Sequence, residues 1–553
     1  MGGAAELLVP EDALQVLRSA GLGAEDWLER EEVYGRGGRA TAAAVGVLLA
    51  LGGGVVGLAV GDAGAGAAAA GVVGTERSLG EGVTFVLGAI VTALPVVASF
   101  VEDLGRKRAV VLGGAVFSLG ALLQVVAAVC HAAPVVWLGR LTAGVSVGLL
   151  SATIPIFQAE ISPRRHRGAI ITLYQLATVL GIAVAVWTNS RSQASAAWRL
   201  VAGLLLAFIS RRCLPDSPRW LVQTGMHLEA FKTLEAIRGP REDPRAELVQ
   251  ICRQCEREER VEAAVQGKLI CVGVALQLLR QLSGLHLLTY YAPELLRSPF
   301  DDSKRLPFSS LAMGASSLSG TILAALLIDR VGRRPLLRCS AAGMAVCGAL
   351  LAVLGSACLA PGRDLCPDGV KWMAVGATFL FDFSFACGWG PVVWVYCAEI
   401  FPLRLRAQAA TLAAAAGWVG SFLADLVQPW STWHLGFSVF WISVAINGLA
   451  LLLGCIPPET RGRTLEDVHG LLDGWPGAGE SLEGAASFSR AGCDEESSIC
   501  SEQHDAEALV RAISVHSGVE RVGKNEDEKP LSPDKDSSRA KRSGRRASDP
   551  DGI

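Results

Sequence analysis

Charged side chains are scarce in this chain, and long stretches carry hardly any. Asp, Glu, Lys and Arg make up 19% of the 553 residues, against about a quarter in an average soluble protein. Apolar side chains make up 51%, and they are concentrated in blocks of roughly 20 residues. This uneven distribution argues against a large soluble α/β core.

The chain also lacks the cysteine patterns of small disulfide or zinc domains. Its 14 cysteines are scattered, many of them inside the apolar blocks, and they predict no disulfide framework. Cys252 and Cys255 have the spacing of a zinc-binding pair, but no second pair accompanies them. The cysteines therefore predict no metal site. The sequence as a whole also predicts no cofactor, no enzymatic activity and no nucleic-acid partner.

The apolar blocks have the length of membrane-spanning helices, because about 20 helical residues cross a hydrocarbon core of about 30 Å. Six blocks precede a polar stretch and six follow it, which predicts an all-α membrane protein with twelve transmembrane helices in two bundles. The predicted spans are 40–62, 82–102, 109–129, 134–157, 169–189 and 197–214, and then 267–292, 308–328, 335–357, 371–397, 408–428 and 433–456.

The remaining segments complete the predicted domain organisation. Residues 1–39 are rich in acids, which argues against an organelle transit peptide, and they form the N-terminal segment. The bundles cover 40–214 and 267–456, and residues 215–266 link them as short charged helices. Residues 457–553 form a tail that is expected to be mostly disordered from about residue 470.

Basic residues in the short loops predict the orientation. One set of alternate loops carries most of the Arg and Lys, so it is assigned to the cytoplasm together with both termini. As a separate expectation, the plasma membrane is favoured over vacuolar and plastid membranes. The basic set comprises Arg106, Lys107, Arg108, Arg164, Arg165, Arg167, Arg330, Arg333, Arg334, Arg338, Arg404 and Arg406.

One charged pattern on this side occurs twice. The motif Asp103-Leu-Gly-Arg-Lys107 returns as Asp329-Arg-Val-Gly-Arg-Arg334, and an acid followed seven residues later by Arg also recurs. Repeated motifs of this kind indicate two related halves. Bidentate Arg–carboxylate pairs are expected to form a latch that joins the halves in one state and breaks in another. The predicted latch is Asp103, Arg106, Glu160, Arg167, Asp329, Arg333, Glu399 and Arg406. The alternative is that these charges only reflect the positive-inside rule.

Asp62 is a carboxylate inside a predicted span, where an acid is costly unless it is paired or functional. Counting along the spans places Arg140 at a similar depth in the fourth helix. Protonation of Asp62 would release Arg140 and make a conformational change depend on a proton. A purely structural salt bridge is the alternative.

Many ordered motifs resemble the sugar porter family of the major facilitator superfamily. The resemblance runs from about Gly46 to Glu466, and its most typical parts are Pro215–Trp220 and Pro458–Arg463. Its other parts are Asp62–Gly64, the two latch motifs, Gly139-Arg140 with Gly144 and Gly148, Pro155–Glu160 with Arg167-Gly168, Gln175, Gln281–Gly284 with Tyr290-Tyr291, Gly388–Pro391 with Trp394, and Glu399–Pro402.

The resemblance implies the major facilitator fold, alternating access, and a substrate site between the halves. It implies that an acid at Asp62 with Arg140 marks proton-coupled members. It implies a substrate wall formed by Gln175, Gln281, His286, Phe385, Trp394 and Trp418.

The chain departs from the family pattern inside this wall. The double Gln of the family reads Arg280-Gln281, an expected Asn is His286, and amides of span eleven fall on Gly417 and Ser421. The identity of the sugar therefore cannot be carried over.

Arg280 and Asp382 are expected at similar depth near the midplane, so we hypothesise from the sequence that they pair. If they do not pair, Arg280 becomes a candidate clamp for an anionic substrate such as a sugar acid.

The sequence thus predicts a transporter of a monosaccharide or polyol in a lipid bilayer, with a proton as its coupled ion. A uniporter on the same scaffold and a non-transporting sugar sensor are the alternatives.

Overall fold

The computed structural model describes residues 42–69, 76–92, 95–189, 195–238, 244–259, 263–288, 291, 305–359, 367–454, 458–463 and 465. The predicted N-terminal segment and almost all of the predicted tail lie outside these residues. Within them, nine helices are long and apolar enough to cross a membrane. The all-α membrane fold predicted from the sequence is confirmed by the solved structure with which it is compared below.

Seventeen α-helices are described. Seven form the first half: α1 Ala42–Ala69, α2 Glu76–Val91, α3 Pro95–Leu104, α4 Arg106–Cys130, α5 Ala133–Ile161, α6 Arg167–Asn189 and α7 Ser195–Cys213. Three lie in the linker: α8 Pro218–Gln223, α9 His227–Arg238 and α10 Pro244–Glu259. Seven form the second half: α11 Ala263–Leu282, α12 Arg305–Val331, α13 Arg333–Leu354, α14 Asp368–Cys387, α15 Trp389–Ile400, α16 Arg406–Leu435 and α17 Phe440–Leu453.

The two halves repeat one packing scheme. In the first, α1 packs on α6, α2 on α5, and α4 on both α5 and α7. In the second, α11 packs on α16, α12 on α14, and α13 on both α14 and α17. Each contact in the first half thus has its counterpart in the second, as a duplicated six-span unit requires.

Small residues set the distances between neighbouring helices. A Cβ on Gly144 of α5 would lie 1.9 Å from the carbonyl oxygen of Phe85 in α2, and one on Gly57 of α1 would lie 2.1 Å from that of Thr178 in α6. Membrane helices gain van der Waals contact when small residues let their backbones approach. Gly144 and Gly57 therefore allow α2 and α5, and α1 and α6, to approach closely.

One glycine in each half lies directly before a long helix, α4 in the first half and α13 in the second. Gly105 and Gly332 precede α4 and α13 with φ of 83° and 105°, a backbone conformation that favours glycine. The chain turns sharply at both, so an acid at the end of one helix and an Arg at the start of the next face the same end of the bundle. We call this the basic end and define it by Arg106, Arg167, Arg333 and Arg406.

Candidate functional site: a latch and a mid-depth wall

The first centre of the basic end is built around the fully buried carboxylate of Glu160 at the end of α5. Arg106 of the same half lies 3.3 Å from it, and Arg406 of the other half lies 3.5 Å from it. The hydroxyl of Ser217 donates a hydrogen bond of 2.5 Å to the same carboxylate. One acid therefore joins two halves of the protein.

Glu399 forms the equivalent centre in the second half. Arg333 donates to it from Nη2 at 2.7 Å and from Nε at 3.1 Å, a bidentate pair with both side chains 2% exposed. The hydroxyl of Thr460 donates to the same carboxylate at 2.5 Å. Ser217 and Thr460 occupy matching places in the two halves, each at the third position of its Pro-Asp-Ser or Pro-Glu-Thr segment.

Asp329 connects the halves through a helix N-terminus. Its carboxylate accepts hydrogen bonds from the backbone N–H groups of Gly168 and Ala169 at 3.1 and 2.8 Å. It also lies 3.1 Å from Arg333. A carboxylate is favoured at the start of α6, because the first N–H groups of a helix lack partners and carry partial positive charge.

The first-half counterpart of Asp329 is Glu102, which corrects the predicted assignment of Asp103. Counting back from Gly105 and Gly332, three residues in each case, reaches Glu102 and Asp329. Glu102 is half-buried and accepts a hydrogen bond of 3.2 Å from Gln408, near the start of α16 in the other half. Asp103 is exposed, because one residue farther along a helix turns a side chain by about 100°.

Two further arginines bind the segment that follows the second half. Arg167 donates from Nη1 to the carbonyl oxygen of Arg463 at 3.2 Å, and Arg164 donates to that of Gly462. The linker joins the same end, since Arg238 pairs with Glu247 at 2.6 Å and donates to the carbonyl oxygen of Ile161 at 2.6 Å. The halves are therefore in contact across the basic end in this structure.

This arrangement has the chemistry of a two-state contact. Removing one partner of a buried ion pair leaves an uncompensated charge, which costs about 3–5 kcal/mol. If the halves separated, Glu160 would lose Arg406, Asp329 would lose Gly168 and Ala169, and water would have to replace both sets of contacts.

At mid-depth, aromatic rings from both halves meet. Trp394 of α15 packs edge-on against Tyr174 of α6, with ring centroids 5.5 Å apart. Phe385 of α14 is 4% exposed, and the guanidinium of Arg280 lies 5.9 Å from its ring centre and 5.3 Å from that of Trp394. Gln175 follows Tyr174 and is half-buried. The structure therefore brings Phe385 and Trp394 together, with Gln175 next to Tyr174, and adds Arg280 to them.

Three other predicted wall residues make polar contacts. His286 lies 2.8 Å from Asp425 through Nδ1 and 3.4 Å from Gln281 through Nε2. Trp418 donates to the hydroxyl of Ser151 in the first half at 3.3 Å. Gln281 lies on α11 and Trp418 on α16, two helices that pack together. His286 is held partly by Asp425, an acid that the sequence did not single out.

The predicted pairing of Arg280 with Asp382 is wrong. Asp382 is 2% exposed and accepts hydrogen bonds from Ser317 of α12 at 2.7 and 2.8 Å. Arg280 instead lies against the two aromatic rings. Depth along a helix gives the axial position of a side chain, but it does not give the direction in which that side chain points.

Arg140 lines a small cavity inside the first half. Arg199 of α7 lines it too, as does Ala59 of α1, and the two arginines are 9% and 8% exposed. Asp62 follows Ala59 by three residues in the same helix; its side chain is not among the described ones. Sequence reasoning did not single out Arg199, although an Arg next to Trp198 at the end of a predicted span can be recognised in the sequence.

Comparisons with known proteins identify the family and the fold of this chain. Residues 80–472 match the family model described as Sugar (and other) transporter. The arabinose-proton symporter of Escherichia coli (strain K12) is 29% identical over 393 residues, which cover 68% of this chain and 81% of the symporter. The high glucose sensor RGT2 of Saccharomyces cerevisiae is 31% identical over 412 residues, 68% of this chain and 52% of the sensor.

Among solved structures, the E. coli proton:xylose symporter XylE bound to 6-bromo-6-deoxy-D-glucose superposes with a TM-score of 0.66. The identity is 23%, and the match covers 77% of this chain and 98% of the symporter. At this identity the likeness concerns the fold.

Proposed function

The chain belongs to the sugar (and other) transporter family, and from that premise we propose that it moves a sugar-like molecule with a proton by alternating access. The observation that carries the proposal is the latch at the basic end. Its contacts cross between the halves at Glu160–Arg406, Asp329–Gly168 and Glu102–Gln408. A transporter needs such a closed end while the substrate site is open on the other side.

The substrate site in this proposal lies between the halves at the depth of Trp394. Gln175, Gln281 and His286 bond the substrate, and Phe385, Trp394 and Trp418 form its apolar wall. Aromatic faces suit the C–H face of a sugar ring, and amides and imidazoles suit its hydroxyls.

Asp62 is the proton carrier in this proposal, with Arg140 as the residue that responds to its charge. The cavity that Arg140 shares with Arg199 supports this, because Ala59 of α1, three residues before Asp62 in the sequence, also lines it. Relatives described as proton symporters also support it. The basic end faces the cytoplasm with both termini, and the plasma membrane is the favoured location.

Uptake by purified protein in liposomes tests the proposal. The panel holds hexoses, pentoses, inositol and sugar acids, with an imposed pH gradient and an uncoupler as control. Accumulation that follows the proton gradient and disappears with the uncoupler is expected. Equilibration without accumulation would identify a uniporter instead.

A sugar sensor is the second candidate, favoured by the likeness to a protein described as a high glucose sensor. In that case the reconstituted protein would bind a panel member without moving it across the bilayer. Measuring binding and uptake on the same preparation separates the two functions.

A further inference from the structure

Arg280 is a cation inside a predicted span, and no described residue provides it with a counter-ion. It lies in α11, twelve residues from Lys268, which is about 18 Å along a helix and therefore near the midplane. None of the ion pairs among the described residues includes its guanidinium, and its buried Nε has no hydrogen-bond partner there. The arginines at the basic end differ, since Arg106, Arg333 and Arg406 each contact a carboxylate.

An unpaired cation inside a membrane protein is costly and marks a substrate or ion pathway. The rings of Phe385 and Trp394 offer their faces to Arg280, but a ring quadrupole attracts a cation without neutralising it. Asp382, the acid that the sequence analysis paired with Arg280, is bound to Ser317. Within the part of the chain that the structure describes, no side chain therefore neutralises Arg280, and a ligand with a negative charge would do so.

Two further buried polar groups, one on α11 and one on the ring that faces Arg280, are unsatisfied among the described residues. Gln277, one helical turn before Arg280, is 1% exposed, and neither atom of its amide has a hydrogen-bond partner in the described structure. The indole N–H of Trp394 is buried and also without a partner there. Buried polar groups are normally hydrogen-bonded, so an unsatisfied set calls for a ligand or water.

Gln277 is unsatisfied for a reason visible in the neighbouring helix. Its Oε1 faces Gly417 of α16, and a Cβ built there would lie 3.3 Å from that oxygen. Glycine has no side chain, so Gly417 offers the amide of Gln277 no hydrogen-bonding group. The amide of Gln277 is therefore available to a hydroxyl group.

Together these groups define one ligand chemistry. A bidentate cation fits a carboxylate, free amide and indole groups fit hydroxyls, and the rings fit an apolar sugar face. We propose that Arg280 binds the carboxylate of a sugar acid between the halves, so that the substrate is a hexuronate-like acid and not a neutral sugar. This rests on the transport function proposed above, and it names the substrate class of that site.

Binding by the purified full-length protein tests the inference with matched ligands. D-glucuronate is compared with D-glucose and D-galacturonate with D-galactose, pairs that differ in oxidation at C6. Calorimetry is expected to give at least about tenfold tighter binding of each acid, as expected for one charge-assisted contact. Equal or tighter binding of the neutral sugars by the wild-type protein overturns the inference before any variant is made.

Substitutions assign the preference to Arg280. Arg280→Gln, which restores the double Gln of the family, is expected to weaken glucuronate binding about 10- to 100-fold and to leave glucose binding equal or stronger. Arg280→Lys keeps the charge and is expected to retain part of the preference. The control Arg338→Gln removes an exposed cation from α13 of the same half and should change neither ligand.

The remaining outcomes are also decisive. If Arg280→Gln weakens both members of a pair equally, the residue is structural and the inference is wrong. If lactate competes as well as glucuronate does, the site takes a bare carboxylate, and the sugar part of the inference is wrong. Because binding is measured without transport, a failure of liposome uptake would count against the proposed function alone.

Discussion

At the scale of single residues, the latch depends on which face of a helix carries the acid. Glu102 and Asp329 each stand four residues before an Arg and three before a glycine, and both reach the first turn of a helix in the opposite half. Asp103, one position later, is exposed. Glu102 and Asp103 are therefore expected to have different roles, although they are neighbours and carry the same charge.

Charge removal at these acids gives the first prediction. Asp329→Asn is expected to lower the initial uptake rate several-fold, because the carboxylate accepts two N–H groups and contacts Arg333. Glu102→Gln should have a smaller effect, since a single hydrogen bond contributes about 0.5–1.5 kcal/mol. Asp103→Asn is the matched control and should behave as wild type in uptake and thermal unfolding. Loss of uptake in Asp103→Asn with normal Glu102→Gln would reverse the assignment.

The sequence predicted part of this site and missed the rest for identifiable reasons. Glu160, Glu399 and their Arg partners could be found because the pattern repeats. Ser217 and Thr460 could not be assigned, because no spacing shows that a loop after the sixth or twelfth span returns to a buried acid. Glu102 was accessible from the sequence by counting from the glycine.

The residues at mid-depth were also only partly predictable from the sequence. Its aromatic residues were found through the family pattern, whereas the unsatisfied amide of Gln277 emerges only when the neighbouring helix is seen to present Gly417. Hydrogen-bond satisfaction is a property of several helices together, and one sequence without its packing does not reveal it.

At the scale of elements, the halves are held together internally by close backbone contact. Gly88 of α2 and Gly144 of α5 each face a carbonyl oxygen of the other helix, at 2.1 and 1.9 Å from a built Cβ. Backbone atoms cannot move aside as a flexible side chain can. Helix pairs of this kind are expected to tolerate no added methyl group.

Two glycines test this packing, one that lies against the backbone of a neighbouring helix and one that has open space around it. Gly144→Ala is expected to force α2 and α5 apart and to destabilise the protein by about 1–3 kcal/mol, as overpacking does. The control is Gly376→Ala in α14, where a Cβ would meet nothing within 4 Å and where alanine favours the helix by about 1 kcal/mol. Thermal unfolding in detergent measures both. A Gly144→Ala protein as stable as wild type would show that α2 and α5 can separate freely.

At the scale of the whole molecule, the two halves share apolar cores as well as charges. Trp394 and Ala414 of the second half lie in a buried cluster with first-half residues such as Ile154 and Tyr174. Ile156 and Ile171 of the first half lie in the main cluster of the second. Opening the basic end must therefore disrupt both buried charges and apolar packing.

Removing the central acid of the latch is expected to shift the equilibrium between states. Glu160→Gln leaves Arg106 and Arg406 buried with a neutral partner, at a cost of about 3–5 kcal/mol in the closed state. A difference of about 3 kcal/mol is more than a hundredfold in population. Spin labels at the exposed Arg165 and Arg330, one in each half, should report a longer distance by double electron–electron resonance. Asp103→Asn serves as control, and an unchanged distance in Glu160→Gln would exclude this latch.

In the proposed function, Asp62 in α1 couples a proton to the same movement, because alternating access can use a proton only if protonation changes which state is favoured. Asp62→Asn imitates the protonated side chain permanently. It is expected to abolish accumulation against a gradient while retaining exchange of labelled for unlabelled substrate, since exchange needs no net proton movement. Uptake under an inward proton gradient and counterflow at equal pH measure the two activities on one preparation. Wild-type protein with an uncoupler should match the variant. Accumulation by Asp62→Asn would place the proton site elsewhere, and loss of exchange together with accumulation would make Asp62 structural.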